Sequence, residues 1–289
     1  MSYIRIQISL IVLLFSFLAG AQTSDNDRIW REFMDWAKAQ PGAGFDIQKY
    51  RARLIEGGMT AAQADERLAL IPKLFNESEE HRREASEVRF NKLYRDSSQT
   101  RFTLEPNAFL VATIKGLKPG KALDVAMGQG RNAVYAASLG WDVTGFDIAE
   151  EGLKVASENA ARVGTHITTV KATFEGFDYG KEQWDLIYFV YTDAPHVDLN
   201  YIARIRDGLK KGGLVLVDRP YRSVTNPEPN WRETDQDKVN ALARAWTEAP
   251  GLQLVHYEDT TGVGDWQQTS VDRTEYKQLR IVRLLARKL

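Results

Sequence analysis

The stretch Asp124-Val-Ala-Met-Gly-Gln-Gly-Arg-Asn-Ala133 follows a short apolar run and decides the fold. Its two glycines, Gly128 and Gly130, let the backbone approach a ligand where a side chain would collide. The alanine-rich segment 132–139 predicts a helix, which offers free N–H groups and the positive end of its dipole to the same ligand. We therefore expect the stretch to be the turn between a strand, 121–126, and that helix.

A second acid, Asp147, closes the next apolar strand, 141–146, and lies 23 residues after Asp124. A carboxylate at this place can accept hydrogen bonds from both hydroxyls of a ribose. In open α/β sheets, ligands bind in the crevice outside the carboxyl ends of the strands. The two acids therefore predict a crevice that holds an adenosine-like group.

Beyond about residue 105, short apolar strands alternate with helices, which predicts an α/β protein with a doubly wound, mostly parallel sheet. The predicted elements are strands 121–126, 141–146, 167–172, 185–191 and 214–218 and helices 132–139, 150–163 and 197–209. Two later strand-like segments, 252–259 and 280–286, have no helical pattern between them. They are expected to form an antiparallel hairpin at one edge of the sheet. Trp231 and Trp266 are predicted to lie in polar loops.

The composition excludes several kinds of chemistry. The chain of 289 residues has no cysteine, so it has no disulfide, zinc–thiolate site or cysteine nucleophile. Its four histidines are too far apart in the sequence to suggest a metal pair, and no metal site is expected. A formal net charge of −1 gives no reason to expect a nucleic-acid partner. Small-molecule chemistry on a globular protein remains.

Residues 1–21 have the layout of a secretory signal peptide. Arg5 precedes the apolar segment 8–18, and Ala19-Gly-Ala21 fits the small-residue cleavage pattern. A secreted or periplasmic protein is expected, with no stable membrane span after cleavage, because this segment is short for a span of ~20 residues. An uncleaved membrane anchor and a buried helix are the alternatives.

Residues 22–85 predict a small helical region ahead of the α/β domain. Asp46 can cap one helix, and Thr60 and Gln63 form a capping box for the next. Pro72 is expected to kink or split that helix. The simplest interpretation is an appendage that packs on the main domain, and a binding or dimerisation module is the alternative. The oligomeric state is left open.

The glycine loop also fits a dinucleotide fingerprint when it is read as Gly128-x-Gly130-x-x-Ala133. An NAD(P)-binding oxidoreductase is therefore one alternative function. Three features favour a different ligand: the acid Asp124 within the strand, which suits a cation rather than a pyrophosphate, the late position of the loop in the chain, and the C-terminal hairpin.

The loop resembles the acid-x-Gly-x-Gly-x-Gly motif of class I S-adenosylmethionine-dependent methyltransferases. The segments Gly130-Arg-Asn-Ala133 and Gly140-Trp-Asp-Val-Thr-Gly-Phe-Asp147 are similar to the small-molecule branch that includes tellurite-resistance and thiopurine-type enzymes. The resemblance covers residues 86–289, which are taken as the methyltransferase domain. It implies S-adenosylmethionine as cofactor and a small-molecule methyl acceptor as partner.

The resemblance assigns roles to the residues around the loop. Asp124 is expected to face the methionine amino group or to hold the loop, and Asp147 to bind the ribose. Arg131 or Asn132 is expected to bind the cofactor carboxylate or to anchor the loop. The cofactor-binding residues are thus predicted to be Asp124, Ala126, Gly128, Gly130, Arg131, Asn132, Asp147, Ile148, Thr173, Phe174 and Phe189.

Two positions depart from the family pattern. Ala126 stands where the family has its first glycine, which tightens the approach to the cofactor. Thr173 stands where the family often has an acid near the adenine amine, so that Thr173 or Glu175 is expected to replace it. Phe174 is expected against the adenine face.

The candidate catalytic residues lie beyond the fourth strand: Tyr191, Asp193 and His196. His196 has a pKa suited to a general base, and the alternative is that it caps or packs against the next helix. Arg219 and Tyr221, beyond the fifth strand, are candidates for the acceptor pocket, and Tyr94 is a candidate to close over the cofactor.

Export conflicts with cofactor supply, because S-adenosylmethionine is charged and does not cross a bilayer unaided. A cytoplasmic or membrane-anchored enzyme is therefore an alternative location. An exported, non-catalytic methyltransferase-fold binding protein is an alternative function.

Overall fold

The computed structural model describes residues 25–42, 44–95, 102–223, 231–265 and 278–289. Contacts between residues divide the chain into two compact units, 1–93 and 94–289. The predicted boundary between residues 85 and 86 lies within a helix, and the predicted signal peptide lies outside the described residues. None of the helices in these ranges has both the length and the hydropathy needed to cross a membrane.

The first unit is helical. Its elements are α1 (25–39), α2 (Ile47–Glu56), α3 (Ala61–Glu77) and α4 (Glu79–Arg95), the last of which ends in the second unit. The Asp46 side chain accepts hydrogen bonds from the first turn of α2, and Thr60 and Gln63 form the predicted capping box of α3. Pro72 lies inside α3 without splitting it.

A cluster of aromatic side chains forms the core of this helical unit. Phe33 packs edge-on against Tyr50, and the Trp30 ring stacks on His81 at a centroid distance of 4.4 Å. The Trp30 indole N–H donates to Glu84 at 2.8 Å. Because these contacts join α1 to α2 and α4, the unit has a core of its own.

The second unit is a seven-stranded sheet in the order β3-β2-β1-β4-β5-β7-β6. Its strands are β1 (Lys121–Val125), β2 (Asp142–Asp147), β3 (Thr168–Lys171), β4 (Trp184–Val190), β5 (Leu209–Ser223), β6 (Leu252–Val263) and β7 (Gln278–Lys288). Its helices are α5 (Ala108–Ile114), α6 (Arg131–Ser138), α7 (Glu150–Arg162), α8 (Leu199–Gly208) and α9 (Trp231–Thr247). Strands β1 to β5 pair in parallel, and β7 is antiparallel to both of its neighbours. The predicted α/β fold class, with its antiparallel edge hairpin, is confirmed.

Helix α9 differs from the sequence prediction. Trp231 is predicted to lie in a polar loop, and this prediction is wrong because Trp231 begins α9. Val239, Leu242 and Trp246 lie on one face of this helix and are buried against the sheet. The sequence feature that indicates this helix is the apolar face formed by these three residues at helical spacing. It starts about two turns after Trp231, so it does not mark the first residue of α9. Trp266 lies outside the described residues.

The register of the strands brings their carboxyl ends to one edge. Val125 at the end of β1 lies between Phe146 of β2 and Phe189 of β4. Val190 at the end of β4 lies beside Asp218 of β5. The loops that follow β1, β2 and β4 therefore lie at the same edge, and the loop after β4 begins beside Asp218.

Candidate active site

The loop after β1 has a backbone conformation that few residue types adopt. Ala126, Gly128 and Gly130 all have positive φ, at +55°, +54° and +78°, which glycine tolerates because it has no Cβ. The Met127 N–H donates to the Phe146 carbonyl, and the Gly130 N–H donates to the Met127 carbonyl, both at 2.9 Å. The loop is therefore anchored to β2 and leads directly into α6.

Asp147 holds this loop from the end of β2. One carboxylate oxygen accepts the Gly128 N–H at 2.9 Å, and the other accepts the Ala149 N–H at 2.8 Å. Burial raises the pKa of Asp147, and the backbone N–H groups of Ala149, Gly128 and Ile148 oppose that rise. A carboxylate has about four lone-pair positions, so two backbone donors leave capacity for ribose hydroxyls.

Asp124 lies beneath the loop at the end of β1 and is 2% exposed. Its Oδ2 atom has no hydrogen-bond partner among the described residues. Burial raises the pKa of Asp124 well above its usual range, and the Tyr188 hydroxyl and the Arg131 charge oppose that rise. A buried carboxylate of this kind is stabilised by a cationic partner.

Arg131 and Asn132 begin α6 and hold two neighbouring segments. The Arg131 guanidinium donates to Asp265 Oδ1 at 2.8 Å and to the Glu105 carbonyl at 2.8 Å. The Asn132 side-chain oxygen accepts the Asn107 N–H at 2.8 Å. Both side chains therefore hold the segments around residues 105–107 and 265 against the start of α6, and their predicted role toward the cofactor carboxylate stays a prediction.

Tyr94, at the start of the second unit, lies against the glycine loop. A Cβ on Gly128 would overlap the Tyr94 hydroxyl, and a Cβ on Gly152 of α7 would lie 2.9 Å from the Tyr94 ring. Burial and the charges of Asp147 and Asp124 raise the pKa of Tyr94. Its phenol is therefore neutral and lies beside the predicted ribose site.

The residues predicted near the adenine lie after β2 and β3. Ile148 and Thr173 are half-buried, and the Thr173 hydroxyl accepts the Gly176 N–H at 3.0 Å. Phe174 is half-buried and meets Phe146 edge-on at 6.3 Å, while Glu175 is exposed. The Thr173 hydroxyl thus already has a partner within its own turn.

Phe189 and His196 pack against each other inside the domain. The Phe189 side chain is fully buried in the core and meets the His196 ring edge-on at 5.1 Å. Burial and the nearby Arg219 charge lower the pKa of His196 to about 3. His196 Nε2 lies 3.3 Å from the Thr192 hydroxyl. A histidine in these surroundings is neutral at pH 7 and is a weak base.

Tyr191 and Asp193 lie in different surroundings. Tyr191 is half-buried with a φ of +58°, and the Arg131 guanidinium lies 5.6 Å from its ring centroid. The Asp193 side chain is 98% exposed and lies 3.6 Å from Arg219. The edge of the sheet therefore brings Tyr191 to the glycine loop and does not enclose Asp193. Arg219 itself lies 5.7 Å from the Tyr221 ring.

Three further polar residues meet at this edge and were not singled out from the sequence. Asn107 Nδ2 donates to Asp218 Oδ2 at 2.9 Å and to Asp265 Oδ2 at 3.1 Å. Asn107 and Asp218 are 1% and 0% exposed. The sequence feature that could have indicated this group is Asp218 itself, an acid directly after the apolar run 214–217. Along the chain, Asp218 lies 111 residues after Asn107, and Asp265 lies 158 residues after it.

The arrangement fits an adenosine-type ligand that carries a positive charge. The unpartnered Asp124 oxygen suits an ammonium group, and the remaining acceptor positions of Asp147 suit ribose hydroxyls. Within the described ranges, no group of three or more histidine, aspartate or glutamate side chains is placed to hold a metal ion.

Comparisons with known proteins agree with this geometry. Residues 122–213 match the family described as "Methyltransferase domain". The chain is 37% identical over 185 residues to "Probable S-adenosyl-L-methionine-dependent methyltransferase TehB" from each of two strains of Haemophilus influenzae. Each match covers 62% of this chain and spans 61% of the relative's length.

A solved structure supports the fold. The structure described as "Conversion of a Disulfide Bond into a Thioacetal Group during Echinomycin Biosynthesis" is 18% identical, with a TM-score of 0.53. The alignment covers 69% of this chain and 91% of that one. The chain is therefore similar to a methyltransferase domain over residues 122–213 and to TehB over 62% of its length, and it shares the fold of that solved structure.

Proposed function

We propose that the protein transfers the methyl group of S-adenosylmethionine to a small-molecule nucleophile. The observation that carries the proposal is the buried Asp124 carboxylate, whose Oδ2 has no partner among the described residues and which lies beneath the glycine loop. Burial raises the pKa of Asp124, and a positively charged ligand at the loop would stabilise the ionised form of its carboxyl group. The match of residues 122–213 to the methyltransferase domain family supports the proposal.

The cofactor supplies an electrophilic methyl group on a sulfonium. Asp124 would hold the ammonium group of the methionyl part, and Asp147 the ribose hydroxyls, with the loop backbone at Gly128 in between. Tyr94 lies against Gly128 and would exclude water from that side. Much of the rate acceleration in such a displacement comes from positioning the reactants and removing water.

The acceptor would lie beyond β4 and β5, next to Tyr191. His196 is a weak base with a pKa near 3 and packs on Phe189, so we assign it to packing rather than to proton transfer. The exposed Asp193 likewise lacks the enclosed surroundings that a base in this site requires. A small-molecule acceptor agrees with a net charge of −1, which offers no basic surface for a nucleic acid.

Isothermal titration with S-adenosylmethionine tests the cofactor site. We expect the wild-type protein to bind and Asp147→Ala to bind at least tenfold more weakly, because the variant loses the carboxylate that orders the loop. Asp142→Ala, an exposed acid at the other end of β2, is the matched control and is expected to bind as the wild type does. Equal binding by Asp147→Ala and wild type would contradict the site.

Turnover separates the enzyme from the non-catalytic alternative. The enzyme releases S-adenosylhomocysteine when it is mixed with cofactor and a panel of phenols, thiols, amines and chalcogen oxyanions. A binding protein takes up the cofactor and releases none. The dinucleotide alternative predicts quenching of NADH fluorescence instead.

We propose export as the location, on the pattern of residues 1–21. N-terminal sequencing of the protein from fractionated cells tests this. A mature chain that begins at Gln22 outside the cytoplasm is the expected result. An intact Met1 in the cytosol would contradict export and would place the protein beside its cofactor supply.

A further inference from the structure

Asp218 lies where the acceptor would meet the sheet. It pairs with Val190 of β4 in the parallel register, and its carbonyl accepts the Tyr191 N–H at 2.9 Å. Tyr191 in turn lies beside Arg131, which begins the helix after the glycine loop. A chain of direct neighbours thus connects Asp218 to the cofactor loop, although neither the loop motif nor the cofactor site assigns Asp218 a role.

The two oxygens of the Asp218 carboxylate have different surroundings. Oδ2 accepts the Asn107 side-chain N–H at 2.9 Å and lies 3.4 Å from Arg283 Nε. Oδ1 is buried and has no hydrogen-bond partner among the described residues. A buried acceptor without a donor is unfavourable and rare in folded proteins. The carboxylate is therefore fixed through one oxygen, and the other has no donor within the part of the chain that the structure describes.

The pKa of Asp218 depends on its burial and on polar and charged groups of the neighbouring elements. Burial raises its pKa to about 6, Asn107 and Arg283 of β7 oppose the rise, and the negative charge of Asp265 adds to it. Arg283 is shared with Glu258 of β6, at 3.2 Å. Because the pKa lies just below neutral, the group is ionised at pH 7 and can still take up a proton.

The backbone beside Asp218 is strained. Tyr191 has a φ of +58°, a conformation that is unfavourable for a residue with a Cβ. Strain of this kind concentrates at functional sites, where the surrounding structure enforces it. The strained residue, the unpartnered oxygen and the end of β4 coincide, which favours this place over His196 or Asp193.

We propose that Asp218 Oδ1 accepts the hydrogen of the methyl acceptor and removes its proton, so that the acceptor is a neutral hydroxyl, thiol or amine. This rests on the proposed methyltransferase function. The acceptor's bond to hydrogen is replaced by its bond to the methyl carbon, and the proton passes to Oδ1 and then to water. The carbon–sulfur electron pair stays on sulfur, which leaves as a neutral thioether. An acceptor that has no proton to lose does not require Asp218 as a base.

A panel of acceptors tests the substrate class. Wild-type protein with S-adenosylmethionine is offered phenol, phenylmethanethiol and aniline, and separately selenite, tellurite and dimethyl sulfide, and S-adenosylhomocysteine is measured. Turnover of a member of the first set is expected, with a rate that rises with pH through about 6. Turnover of the second set only, or of neither set by protein that binds the cofactor, overturns the inference. Failure to bind the cofactor contradicts the proposed function instead.

Asp218→Asn tests the residue. We expect kcat to fall at least about 100-fold, with affinity for S-adenosylhomocysteine within twofold of the wild type. Binding of phenol to the S-adenosylhomocysteine complex, measured by titration calorimetry, is expected to weaken at least about tenfold. The control Asp142→Asn replaces an exposed acid of the same domain and is expected to change neither. Unchanged kcat and phenol binding in Asp218→Asn would overturn the assignment.

A second pair of variants keeps the test independent of whether Asp218→Asn folds. Arg283→Gln removes a positive charge that lowers the pKa of Asp218, so the rise in rate is expected to move to higher pH. Arg287→Gln, an exposed arginine on the same strand, is the matched control and leaves the profile in place. A profile that stays in place in Arg283→Gln as well would contradict proton transfer to Asp218.

Discussion

The Gly128 N–H donates a 2.9 Å hydrogen bond to Asp147 Oδ2, which ties the loop after β1 to the carboxyl end of β2. The other Asp147 oxygen holds the Ala149 N–H at the start of α7. One side chain therefore sets the position of the glycine loop, of the next helix and of the predicted ribose site. Its removal should affect folding as well as binding.

Asp147→Ala is expected to lower the free energy of unfolding by about 1–3 kcal/mol, because two buried N–H groups lose their acceptor. Loss of a buried charge offsets part of this, since burial raises the pKa of Asp147. Urea denaturation at pH 7 measures the change. Asp142→Ala, at the exposed start of the same strand, should stay within about 0.5 kcal/mol of the wild type. Equal values for the two variants would contradict a structural role of Asp147.

Gly128→Ala is expected to destabilise the domain more than Gly164→Ala. Both glycines have positive φ, at +54° and +72°, so both variants carry a similar backbone strain of roughly 1–2 kcal/mol. A Cβ added at Gly128 would overlap the Tyr94 hydroxyl, whereas a Cβ added at Gly164 would have no other atom within 4 Å. The difference in unfolding free energy between the two variants therefore isolates the contact with Tyr94. No difference would mean that Tyr94 moves aside freely.

Ala126→Gly is expected to raise the free energy of unfolding by up to about 1 kcal/mol. The alanine sits at a φ of +55°, and relief of that strain exceeds the extra backbone entropy that glycine loses on folding. Ala112→Gly, on the exposed face of α5, should have the opposite sign, at about 1 kcal/mol of destabilisation. Thermal and urea denaturation distinguish the two. Destabilisation by Ala126→Gly would show that its methyl group packs usefully.

His196→Gln should change the acid sensitivity of the protein. Burial lowers the pKa of His196 in the folded protein to about 3. In the unfolded chain the pKa is near 6.5, so between these pH values the unfolded chain binds a proton at His196 and the folded protein does not. The stability of the wild type is therefore lost as pH falls from 6.5 toward 3. The advantage of wild type over His196→Gln should be smaller at pH 5 than at pH 7 by about 2 kcal/mol. His166→Gln, at an exposed histidine, is the control, and a parallel pH dependence of wild type and His196→Gln would contradict this account.

The fold was largely predictable because its parallel strands are covered on both faces. Segments 185–191 and 214–218 are nearly continuous apolar runs, and the predicted bounds of β1, β2 and β4 lie within two residues of those observed. The prediction failed at α9, whose first turns are polar and carry Trp231. Strand β5 extends well past the predicted 214–218, because its second half pairs with β7 as far as Ser223.

The two halves of the site differ in how far the sequence predicts them. The cofactor side follows from local sequence, because Asp124, Gly128 and Asp147 stand at the ends of strands whose order is recognisable. The acceptor side depends on long-range contacts: Asn107, the N-cap of α5, reaches Asp218 of β5 and Asp265. Burial lowers the pKa of His196 and raises that of Asp218. The extent of this burial follows only from the packed structure.

The position of β7 also bears on how the domain is made. Strand β7 is the last strand in the sequence, and it lies inside the sheet between β5 and β6. Until Gln278–Lys288 has left the ribosome, β5 has no neighbouring strand on the side opposite β4, and β6 has no strand through which it joins the sheet. The nascent chain therefore presents an open strand edge, which invites aggregation, and completion of the sheet has to follow synthesis of β7.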